Sequence, residues 1–64
     1  MEPEKLKIKL EHWSEHNKSH AAGYMKQAVE AGNMGMHGVK DELLSAAEDL
    51  ENVGRHLKKA MEKL

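Results

Sequence analysis

From Val39 to Leu64 the chain places apolar residues at alternating steps of four and three: Val39, Leu43, Ala46, Leu50, Val53, Leu57, Ala60 and Leu64. That spacing returns to one side of an α-helix every seven residues and never alternates as a strand must, so the second half is constrained to a helix with a single apolar seam. Such a seam needs a second helix to cover it. The first half offers one, because Leu6, Leu10, Trp13, Asn17, His20, Tyr24 and Ala31 follow the same steps, with Ala28 beside the vacant place at Gln27. Between the halves lies AGNMGMHG, residues 31–38. There Gly32 and Asn33 can take the left-handed conformation that ends a helix, and Gly35 and Gly38 loosen the chain beyond them. The pattern predicts an all-α fold with one domain over residues 1–64: helix 1 over about 3–31, a loop at 32–38 and helix 2 over about 39–63. A connection this short makes the pair an antiparallel hairpin.

The charges agree with this division. Pro3, flanked by Glu2 and Glu4, suits the first turn of a helix, where a missing N–H costs nothing and negative charge complements the dipole. Asp41 and Glu42 stand near the start of the second helix and Lys58, Lys59 and Lys63 near its end, both favourable orientations.

Two helices from 64 residues leave little interior. Met25, Val29, Leu44, Ala47 and Met61 fall on the outer edges of the seams, without cover, and Asn17 and His20 place polar groups in the seam itself. A buried amide or imidazole without a partner costs about 1–3 kcal/mol. A homodimer forming a four-helix bundle completes such a core. Trp13 and Tyr24, both on the seam, read as its anchors, each with its polar tip at the edge.

Composition removes several classes of function. No cysteine is present, so disulfides and thiolate metal sites are excluded. Eleven acidic and ten basic side chains give a formal charge of −1, and one Trp, one Tyr and no Phe give no base-stacking platform, so nucleic acid is not an expected partner. No apolar run approaches the roughly 20 residues of a membrane span, and MEPEKLKIKL mixes charge with apolar residues where a signal peptide would have an apolar core. A cytoplasmic location follows as the expectation. Catalysis has no support, since there is no nucleophile with an evident base, no phosphate loop after a strand and no Glu-x-x-His pair of the di-iron type. The chain is not expected to be an enzyme.

What remains is histidine. EHWSEHNKSH, residues 11–20, has His12, His16 and His20 four apart, so on a helix they share one strip. Folding at the glycines sets residue i opposite a residue near about 71 minus i, which brings His56 to the level of His16 and Asp49 to that of Gly23. Imidazoles at i and i+4 can present two nitrogens to one divalent transition ion such as Zn, Ni, Cu or Co, and a third from another helix would fix the geometry. The expected ligands are His16, His20 and His56, with His12 as alternate and Asp49 either ligating or orienting His20. Zn or Ni is the expected ion, held for storage, sensing or delivery.

Two other readings stay open. The histidines could be a solvated face and a satisfied core residue in a structural or protein-interaction hairpin without metal. They could also form a pH switch that acts on dimerisation. In the loop, Met34, Met36 and His37 offer soft sulfur and imidazole to Cu(I), although methionines capping the open end of the bundle are the simpler account.

The run Leu10, Glu11, His12, Trp13, then His16, Asn17, then His20, Ala21 resembles the pattern of an uncharacterised family of small two-helix proteins of bacteria and archaea, in which HW, HN and HA recur at this spacing. The resemblance is best in helix 1 and reaches helix 2 only through its Ala/Glu/Leu texture. It implies a helical hairpin and His12, His16 and His20 acting as a set. GYMKQ and GNMGMHG depart from the more acidic, alanine-rich stretches of that pattern.

Overall fold

A computed structural model describes residues 2–64 and contains two α-helices, α1 (Pro3–Asn33) and α2 (His37–Glu62), packed against each other over their whole length as an antiparallel hairpin. It is a rod of 49 × 14 × 13 Å. Pro3 opens α1 with Glu4 in the first turn, and no side chain caps its start.

The turn is tighter than the expected loop at 32–38. Helix α1 runs on through Gly32 and Asn33, and the left-handed residue is Gly35, at φ +76°. Met36 donates its N–H to the Ala31 carbonyl at 2.8 Å and Gly35 donates to Gly32 at 3.0 Å. These are the two bonds of a Schellman motif, which satisfies the last carbonyls of α1 and turns the chain within three residues. Helix α2 therefore begins at His37, so Asp41 and Glu42 lie beyond its first turn. A side chain at Gly35 would be forced into the left-handed region, whereas at Gly54, inside α2, an added Cβ would meet nothing within 4 Å. The two glycines should respond oppositely: Gly35→Ala should lower stability by about 1 kcal/mol and Gly54→Ala should raise it by about 0.5–1 kcal/mol, read by urea unfolding. Equal effects at both would contradict this turn.

The interhelical seam in α1 keeps Leu10, Asn17 and Ala31 of the expected one and lies one residue round from it at Trp13, His20 and Gln27, where Ser14, Ala21 and Ala28 face inward. Its buried positions are Leu10, Ala21, Ala28 and Ala31, with Ser14 and Asn17 half-buried between them; α2 answers with Ala47, buried, and Leu43, Leu50, Gly54 and Leu57, half-buried. Trp13 and Tyr24, expected as anchors, are 48% and 37% exposed. His20, expected in the seam, is exposed as well, and Ala47, expected at an uncovered edge, is 2% exposed. The reason is size. Two helices alone gain most dispersion where their backbones approach closest, which small side chains permit and an indole or imidazole prevents. Asn17 needs no buried partner because it opens onto a groove, and no buried side-chain polar atom among the described residues lacks one.

Ser14, Asn17 and Ala21 line that groove together with Lys58, Gly54 and Leu50, so residue numbers on the two helices sum to about 71 at each level. Gly32 against Lys40 continues the same register at the turn. The level expected for His56, beside His16, is the level it occupies.

Candidate metal site

Each histidine is placed by its distance from a buried alanine, at about 100° per residue. His12 comes nine positions before Ala21, half-way round α1, and His16 and His20 lie progressively nearer the seam. All three are exposed. With Tyr24 they form a ladder of rings one turn apart. The centroids of His12 and His16 are 6.1 Å apart and stacked; those of His16 and His20 are 4.4 Å apart and nearly perpendicular; those of His20 and Tyr24 are 6.3 Å apart.

Within the ladder one pair is distinct. The Nε2 atoms of His16 and His20 stand 2.9 Å from each other, so the N–H of one ring donates to the bare nitrogen of its neighbour. Two nitrogens this far apart, each about 2.05 Å from a common ion, subtend roughly 90° at it, and opening to tetrahedral needs only a few tenths of an ångström more. The i,i+4 spacing thus yields a two-toothed chelate facing solvent.

The remaining expected ligands do not join it within one chain. His56 lies nine positions beyond Ala47, so although level with His16 it leaves α2 from the far side. Asp49 is exposed on the same outer strip of α2. Among the described residues, no three His, Cys, Asp or Glu side chains gather closely enough to hold a metal ion. In the turn, Met34 and Met36 are 71% and 47% exposed and His37 begins α2.

The family model described as a domain of unknown function (DUF8180) matches residues 6–64. The chain belongs to that family. The match takes in both helices and the turn, so the histidine ladder, the Schellman motif, Asp49 and His56 all fall inside the family domain. No curated protein matches the chain, and no solved structure does.

The opposite side of the hairpin has a different character. Lys18, Arg55 and Lys58 rim the groove against Glu51, over a floor that includes Ala21, Leu50 and Met61. Sequence periodicity did not single out these cations, because they sit on different helices and only the register brings them to one level. No helix among the described residues is long and apolar enough to cross a membrane.

Proposed function

We propose that this family member is a small metal-binding protein of the cytoplasm, which holds a divalent transition ion on the His16–His20 chelate for storage, sensing or delivery, and which works as a homodimeric four-helix bundle. The observation that carries the reading is the 2.9 Å approach of two solvent-facing Nε2 atoms. Neutral imidazole nitrogens in that arrangement suit Zn, Ni, Cu or Co, and the absence of cysteine from the sequence leaves no thiolate to compete with them. Two ligands from one chain fall short of a four-coordinate shell, so the remaining donors come from a second molecule. A dimer is supported independently by the apolar surface the hairpin leaves in water, including Trp13, Val39 and Val53.

Calorimetric titration of the untagged protein with Zn²⁺ tests the proposal. Saturable binding is expected, weakened at least tenfold in His16→Ala and in His20→Ala. Both residues are exposed, so circular dichroism should show helix content unchanged in either variant. Unaltered affinity in both variants would overturn the reading in favour of an interaction hairpin whose histidines bind no metal.

A further inference from the structure

The chain exposes 5034 Å² for a mass of 7.2 kDa. A folded monomer of that mass exposes about 4,100 Å². The surplus of about 900 Å² is the size of one side of a standard protein interface. Exposed apolar residues lie on both broad sides of the hairpin, Met25, Val29 and Leu44 toward the groove, and a second group gathers on the other side. Trp13 and Tyr24 on α1, and Val39, Val53 and Leu64 on α2, are all between 37% and 50% exposed. At 100° per residue they fall on the face opposite the groove of Lys18 and Lys58.

The unassembled ligands border this same face. His16 and His20 come three and seven positions after Trp13, while Asp49 and His56 come four before and three after Val53, so each pair shares its strip with an exposed apolar residue. By the register of the hairpin, His56 and Asp49 lie at the levels of about residues 15 and 22, on either side of the His16–His20 chelate.

Building on the metal reading of His16 and His20, we propose that a second copy of this chain completes the site: His16 and His20 of one copy and His56 and Asp49 of the other enclose one divalent ion, twice per dimer. A two-fold axis parallel to the helices sets α1 of one copy on α2 of the other and keeps every residue at its own level. Trp13 then meets Ala60 and Tyr24 meets Ala46, so large residues face small ones across this part of the exposed face. The shell is three imidazoles and a carboxylate, and the carboxylate offsets part of the ion's charge. An axis across the helices at the level of His16 and His20 would instead set Leu64 against Glu42 and carry Val39 past the end of the facing helix.

The test is complementation between chains. Zn²⁺ titration of the unaltered protein, followed by sedimentation, should give a dimer with about one ion per chain. Two double variants, H16A/H20A and D49A/H56A, should each lose the ion. All four residues are exposed, which spares the fold. Mixed in equal amounts, the two variants should regain binding, up to about half an ion per chain, because a mixed dimer keeps one intact site. Co²⁺ in place of Zn²⁺ should give the strong visible absorption of a four-coordinate site in the mixture and not in either variant alone. If D49A/H56A binds like the unaltered chain, or mixing restores nothing, the shared site is wrong while the chelate reading survives. Binding of half an ion per chain, independent of His56, would point to the axis across the helices and also overturn it. No binding by the unaltered chain overturns the chelate reading itself.

Discussion

Ala28→Leu is expected to destabilise the protein by about 1–3 kcal/mol, a large share of what so small a fold can possess. Ala28 has 0% exposure and stands on the buried strip of α1, between Ala21 and Ala31. The added isopropyl group has no cavity to enter, so the helix axes must part locally and neighbouring contacts are lost with them. Thermal unfolding followed by circular dichroism measures the change. The same substitution at Ala22, which is exposed one position along from Ala21, serves as the control and should be close to neutral. If Ala28→Leu left the midpoint unmoved, the small-residue seam described for α1 would be the wrong face.

Leu10→Ala should cost about 2–3 kcal/mol by the opposite mechanism. Leu10 is 7% exposed and is the one buried residue among those described that is larger than alanine. Removing its branched end deletes apolar contact near the open end of the hairpin, and the rigid helices on either side cannot close the space fully. Urea unfolding should show the loss as a lower midpoint with the slope unchanged. A cost similar to that of Ile8→Ala would refute it, since Ile8 is 64% exposed and contributes little burial.

Together these effects are the physical ground for the proposed metal and second copy. Among the described residues, the buried ones are one leucine and four alanines. Four alanines bring two backbones together, but each removes little apolar area from water, so the hairpin depends on what further surface it can cover. The face carrying Trp13, Tyr24 and Val53 offers such surface, and in the proposed dimer the histidines at its edges would tie its burial to the presence of an ion.

The two helices and their antiparallel order were legible in the sequence. The seven-residue apolar repeat of α2 has one helical solution, and a glycine-rich stretch between two such repeats permits a hairpin of one register, which is enough to set His56 level with His16. The pairing of His16 with His20 was equally local, because residues four apart on a helix meet whatever surrounds them. Rotation about the helix axis was not legible. Trp13 and Ser14, His20 and Ala21, and Gln27 and Ala28 are alternatives one residue apart, and a seven-residue repeat counts steps without saying which of two adjacent strips faces inward. Hydrophobicity alone selects Trp13 and Tyr24. Close approach selects Ala21 and Ala28, and a single pair of helices follows close approach because it has no third layer in which to seat an indole. The Schellman turn at Gly35 sets the direction in which α2 leaves α1. With that choice made, the row of histidines turns outward, and His56 leaves α2 from its outer edge, where the proposed second copy would meet it.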